Sequence, residues 1–216
     1  MVAIQDFILI VGGVIVAITV HECAHAWSAY LLGDPTARLM GRVTLNPLKH
    51  LDPTGTMMII LSSISGFGIG WGKPTPVNPY RLKYGSMTGM ALVSLAGPLS
   101  NMLLALILML PFRLGLQAPY AVAKVVVTMA WVNVVLAVFN LIPLPPLDGF
   151  KVLVGLLGTI RSESMRAVNR VLAKIESMGF MLLFAVLAVG WITGFSLLGL
   201  IMREPINLLW TLIAGR

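Results

Sequence analysis

The chain has 216 residues, 58% of them hydrophobic and 11% charged, with a mean hydropathy of +0.93 and a formal net charge of +7. So low a charged fraction excludes an ordinary soluble domain, in which about a quarter of residues carry charge, and points to a membrane protein. The positive balance does not indicate nucleic acid, because the basic residues lie between apolar runs, where anionic headgroups and the topology of insertion account for them.

The first apolar run, Ile4 to Leu32, ends at Gly33-Asp34-Pro35, a glycine stop followed by a proline that cannot continue a helix. It lacks a basic leader and continues through His21, Glu22 and His25, so it is expected to stay in the mature protein. Cys23, the single cysteine, has no partner for an intrachain disulfide and reads as a small buried apolar residue. A long mixed segment follows, up to about Tyr84. Within it Thr54 to Gly70 is apolar but short and rich in Gly and Ser, which suits a re-entrant segment. The prolines of Gly72-Lys73-Pro74-Thr75-Pro76-Val77-Asn78-Pro79 exclude helix there and predict a loop or edge strand.

Ser86 to Phe112 and Tyr120 to Ile142 read as two antiparallel spans joined by a short turn with Arg113, Gly115 and Pro119. After Pro143-Leu144-Pro145-Pro146-Leu147-Asp148-Gly149 comes an amphipathic stretch with Arg161, Arg166, Arg170 and Lys174. An apolar run from about Met178 to Met202 and a short helix from Pro205 to Ala214 complete the chain. The fold class is therefore an all-α polytopic membrane protein. It is a bundle of about five or six transmembrane helices, with a re-entrant or β-like membrane-associated segment between the first and second full spans. One domain is expected over 1–216, with a core at about 4–155 and further membrane helices at about 178–214. Arg38, Arg42, Lys49, Lys73, Arg81 and Lys83 fall in the first connection and Lys151 through Lys174 in the second, which puts both on the cytoplasmic side. His21 to His25 and Asp148 then meet at one depth, toward the cytoplasm.

His21-Glu22-Cys23-Ala24-His25 is the H-E-x-x-H pattern. Two histidines one helical turn apart share a face and can reach one zinc ion, with the glutamate placed as a general base. With three His and four Glu in the chain, composition alone produces the pattern roughly once in two thousand such sequences. Ionisable groups inside a span are costly and mark function. A catalytic zinc needs a third protein ligand. Asp148, directly after an apolar span in irregular backbone, is one candidate and His50 the other, while Asp148 also suits a helix N-cap. Asn140, ending an apolar span, suits either substrate backbone and oxyanion contact or interhelical hydrogen bonding. Ala96-Gly97-Pro98-Leu99-Ser100-Asn101 reads as close helix packing with a kink.

Together, His21-Glu22-Cys23-Ala24-His25 and Asn140-Leu141-Ile142-Pro143-Leu144-Pro145-Pro146-Leu147-Asp148-Gly149 resemble the site-2 protease family of intramembrane zinc metalloproteases. The resemblance extends to Gly33-Asp34-Pro35-Thr36, Asn46 to Pro53, Gly72-Lys73-Pro74, Pro76 to Pro79 and Ala96 to Asn101, most of residues 10 to 155. It implies His21, His25 and Asp148 as zinc ligands, Glu22 as the catalytic acid-base and Asn140 as a substrate-contacting amide, which raises Asp148 above His50. The implied substrates are membrane-spanning proteins, such as anti-sigma factors or membrane-tethered regulators, and the likeness is to the compact prokaryotic type without PDZ or CBS domains. No nucleic-acid partner is expected, and the sequence leaves the oligomeric state open. The rival class is a membrane transporter or channel with a structural metal site, which leaves the glutamate between the histidines unexplained. A metal-binding scaffold without turnover ranks lower, because Glu22 is present.

Overall fold

The computed structural model describes residues 4–65, 70–160 and 163–215, and for 63–65, 163–167 and 169 the backbone alone. Among them the helices are α1 (Ile4–Leu31), the single turn α2 (Thr36–Leu39), α3 (Pro53–Ser65), α4 (Ser86–Arg113), α5 (Tyr120–Asn140), α6 (Asp148–Gly158), α7 (Glu163–Met178), α8 (Phe180–Thr193) and α9 (Leu197–Ala214). Four of these, α1, α4, α5 and α9, are long and apolar enough to cross a membrane, and the bent pair α7 and α8 makes a fifth if read as one span. The protein is an all-α, multi-pass membrane protein.

Small side chains let the central helices approach. Ala17, Ala26 and Ala29 of α1, Gly97 and Ala105 of α4, and Ala130 and Ala137 of α5 are all buried, and the three helices contact one another. Lipid tails are as apolar as leucine, so association in a bilayer depends on such close contact and on interhelical hydrogen bonds rather than on burial from water. α6 lies along α4, with Gly155 over Ala91 and Gly158 over Met87. α9 closes on α4 and α5 through Met109, Val134 and Ile213, beside an edge-on Trp131–Trp210 pair with ring centres 5.1 Å apart. The outward faces carry exposed Ile8, Leu31, Leu103, Leu110 and Leu208, as lipid-facing surfaces should.

The C-terminal part departs from the sequence reading. The run Met178 to Met202 is divided: α7 and α8 meet at 68° around Gly179 (φ 49°), and α8 ends at Gly194 (φ 70°). Ser196 then caps α9, its Oγ accepting from the Gly199 amide. Pro205 lies inside α9 rather than opening a helix. Hydropathy cannot register a left-handed glycine, which stops a helix without changing how apolar the run is.

The short apolar segment after Pro53 is helix α3, and the Pro-rich segment behind it is irregular. Its β character amounts to one antiparallel bridge between Leu51 and Gly72, supported by the Lys73 amide donating to the His50 carbonyl at 2.7 Å. Residues 66–69, within the apolar stretch Thr54 to Gly70, lie outside the described residues, as does Arg161.

Candidate metal centre

His21 and His25 project from one face of α1, with ring centres 4.5 Å apart and planes nearly perpendicular. They meet Asp148, the first residue of α6, across 127 and 123 positions of sequence: His21 Nε2 is 2.9 Å and His25 Nε2 3.1 Å from the same carboxylate oxygen. All three are buried, and one ligand atom from each lies within 4.8 Å of the others. Asp148 sits one place inside the helix, with Leu147 at the N-cap position. The capping role open to Asp148 on sequence therefore falls to no side chain here. The approach to it is irregular and includes a cis Pro145–Pro146 peptide.

The far nitrogens of both rings are also engaged. His21 Nδ1 is 2.7 Å from Asn101 Oδ1 and His25 Nδ1 is 2.8 Å from the Val93 carbonyl. Both partners are on α4. A carbonyl oxygen only accepts, so each Nδ1 carries the proton in a neutral ring and each Nε2 turns a lone pair inward. Two lone pairs and a carboxylate oxygen then converge in a buried space with no donor of their own. That donor set suits a cation, and two imidazoles with one carboxylate are a known catalytic zinc triad.

Glu22 lies beside these groups, half-buried, in a cavity of about 430 Å³ that Thr75, Asn140, Lys151 and Phe180 also line. The Thr75 amide donates to Glu22 Oε2 at 2.9 Å, and the Thr75 hydroxyl donates to the Glu22 carbonyl at 3.1 Å, which ties the Pro-rich segment to α1. Arg42 approaches the same carboxylate at 3.9 Å and donates to the Lys73 carbonyl. Burial lowers the Arg42 pKa below its ordinary value, and the Glu22 charge partly offsets this. Asp34, which closes α1, accepts from the Thr36 amide and hydroxyl and, at 2.6 Å, from the Asn78 amide. Burial raises its pKa, but these hydrogen bonds outweigh it and hold the carboxyl below its ordinary range. Asp34 thus anchors the other end of the segment that contacts Glu22.

A family model described as peptidase family M50 matches residues 112–186. The protein named putative zinc metalloprotease YwhC from Bacillus subtilis (strain 168) is 41% identical over 183 residues, covering 81% of this chain and 77% of its own. The chain belongs to peptidase family M50, the site-2 proteases. Two proteins named putative zinc metalloprotease Rip2 are also similar. One, from Mycolicibacterium smegmatis, is 30% identical over 84% of this chain and 67% of its own. The other, from Mycobacterium tuberculosis (strain ATCC 25618 / H37Rv), is 32% identical over 75% of this chain and 61% of its own. No solved structure matches the chain significantly.

As an M50 member the protein is a zinc-dependent metalloprotease of the membrane, which sets aside the transporter or channel reading. His21, Glu22, His25, Asp148 and Asn140 all border one cavity. Asn140 donates to the Leu136 carbonyl of its own helix at 3.0 Å. His50 is elsewhere: fully buried, it contacts the Thr44 carbonyl through Nε2 at 2.7 Å and supports the Leu51–Gly72 bridge. Sequence reasoning missed three contributors. Asn101 was assigned to packing, yet it touches His21; Gly97 lies against both imidazoles; and Arg42 was read only as a topology charge.

Proposed function

We propose that the protein hydrolyses peptide bonds within or near the transmembrane segments of membrane proteins, with zinc held by His21, His25 and Asp148 and with Glu22 as the general base. The convergence of three buried donor atoms within 4.8 Å, beside a half-buried glutamate in an accessible cavity, carries this reading. Zinc bound there supplies a water that is acidic near neutral pH and a Lewis acid for the scissile carbonyl. Glu22 takes the proton of the attacking water and returns it to the leaving amide nitrogen. The Thr75 amide and Arg42 hold the Glu22 carboxylate toward the cavity. Asn140, which also lines the cavity, gives one side-chain N–H to its own helix carbonyl and has a second with which to donate to substrate backbone.

A helical substrate keeps its peptide bonds in intrahelical hydrogen bonds, so cutting requires a locally extended stretch. The segment from Gly70 to Pro79 runs along the cavity mouth with irregular backbone, and pairing with it holds a substrate open. Site-specific crosslinks from substrate to this segment are the corresponding observation. The class of substrate that follows is a membrane-tethered regulator, including the anti-sigma type, with its fragment released on the cytoplasmic side.

The deciding experiment reconstitutes the protein with a membrane-spanning substrate and compares Glu22→Gln with Asp148→Asn. Glu22→Gln is expected to retain about one zinc and lose cutting by at least about a hundredfold, the lower range for a general base. Asp148→Asn is expected to lose zinc as well. Full activity in Glu22→Gln, or full zinc in Asp148→Asn, overturns the assignment.

A further inference from the structure

Behind the metal-facing side of His21 lies a chain of amides that the hydrolytic reading does not use. Asn101 on α4 and Asn133 on α5 are both fully buried among apolar helices. Asn101 Nδ2 donates to the Ala17 carbonyl of α1 at 2.9 Å and to Asn133 Oδ1 at 2.7 Å. Asn133 Nδ2 donates to the Met129 carbonyl of its own helix at 2.8 Å. Asn101 Oδ1 meets His21 Nδ1 at 2.7 Å.

The direction of this chain is fixed by its ends. Ala17 and Met129 offer carbonyl oxygens, which only accept, so a flip of either amide sets oxygen against oxygen at under 3 Å. With Asn133 held by Met129, its oxygen faces Asn101. With both Asn101 hydrogens then committed, Asn101 can present only its oxygen to His21. His21 must therefore carry a proton on Nδ1, which in the neutral ring turns the Nε2 lone pair toward Asp148. An unsatisfied amide in this apolar interior is costly, and alternatives to this one arrangement leave at least one.

We propose that Asn101 and Asn133 form a positioning relay that fixes the tautomer and ring orientation of His21, so that the register of α5 is read out at the metal site. The role rests on His21 being a zinc ligand. Asn133 touches neither metal nor substrate and acts through Asn101. The relay differs from simple interhelical adhesion because it requires an acceptor at position 133 and not merely a side chain of that size.

The test uses the full-length protein in detergent and zinc alone, with the dissociation constant read by competition against a chromophoric chelator. Asn133→Leu keeps the branched shape and removes the acceptor; zinc binding is expected to weaken about tenfold or more, the usual cost of losing an outer-shell partner. Asn133→Asp in its neutral form presents one acceptor oxygen and one hydroxyl donor, the native pattern, and is expected to stay within a few-fold of the parent. Parental affinity in Asn133→Leu, with affinity lost in His21→Ala, overturns the relay and leaves the ligand assignment standing. Parental affinity in His21→Ala overturns the ligand assignment, and the relay's role with it. Should Asn133→Leu not fold, ¹⁵N-histidine spectra of the unaltered metal-free protein decide: a His21 ring with Nδ1 protonated is expected, and a ring whose Nδ1 carries no proton overturns the proposal.

Discussion

Gly97 shows how much of the site is set by an atom that is not there. A methyl group built at this position lies 2.5 Å from His25 Nε2 and 2.7 Å from His21 Cε1, in the space where the two rings turn toward Asp148. In an ordinary helix interior alanine is favoured over glycine by about 1 kcal/mol, so Gly97→Ala on its own favours α4. Displacing the imidazoles breaks their buried bonds to Asn101 and the Val93 carbonyl, which costs more than the helix propensity gains. Gly97→Ala is therefore expected to melt below the parent without metal, and its zinc affinity is expected to fall at least about tenfold. Thermal melting and chelator competition check the two, and unchanged zinc affinity contradicts the packing described. The residues legible in sequence were those with a spacing rule. His21 and His25 announce themselves by one helical turn, and Glu22 by its place between them. Irregular backbone directly after an apolar span favoured Asp148, with His50 as its rival, and the family resemblance raised Asp148 well above it. Asn101 and Gly97 were legible only as packing, since an amide or a glycine in a span looks the same whether its neighbour is a leucine or a ligand 80 residues away.

At the scale of elements, α1, α4 and α5 lie close to where the apolar runs and their Gly and Pro boundaries put them, because one solvent, the lipid, sets both length and polarity. The divisions at Gly179 and Gly194 were not legible, since backbone handedness leaves no trace in hydropathy. Nor was the contact that sets the depth of Asp148. α6 is short and begins at Asp148, so its position along α4 decides where that carboxylate stands. Gly155 permits the approach: a Cβ there runs into the Ala91 methyl and comes within 3.0 Å of the Met87 carbonyl. Gly155→Ala is therefore expected to push α6 off α4 and draw Asp148 away from the histidines, weakening zinc binding by about tenfold. Gly12→Ala on α1, where a Cβ meets nothing within 4 Å, is the matched control and should bind zinc as the parent does. Equal affinities in the two variants would mean that the α4–α6 contact does not position the site.

The molecule as a whole orients the site across the bilayer. α1 has 28 residues, about 42 Å at 1.5 Å per residue, and His21 lies ten residues, or about 15 Å, from its Leu31 end. The donors thus lie inside a hydrocarbon core of about 30 Å, nearer one face. Six basic residues follow that near end between Arg38 and Lys83, whereas the far end holds Arg113 and a Lys124 whose charge is paired with Asp6 at 2.5 Å. Cationic connections tend to be retained in the cytoplasm, so this asymmetry predicts that the near end and the cavity face that side. On that topology a substrate cut at this depth would release its fragment inward. The check is labelling of single cysteines by a membrane-impermeant maleimide in a Cys23→Ser background. Met40→Cys lies in the exposed connection after α2, and Gln117→Cys in the exposed turn between α4 and α5. In sealed right-side-out vesicles position 117 should label and position 40 should not, and in inverted vesicles the pattern should reverse. The opposite pattern would place the catalytic cavity on the outer face, and the basic connections would then be anchoring the protein to anionic headgroups of that leaflet rather than setting its topology.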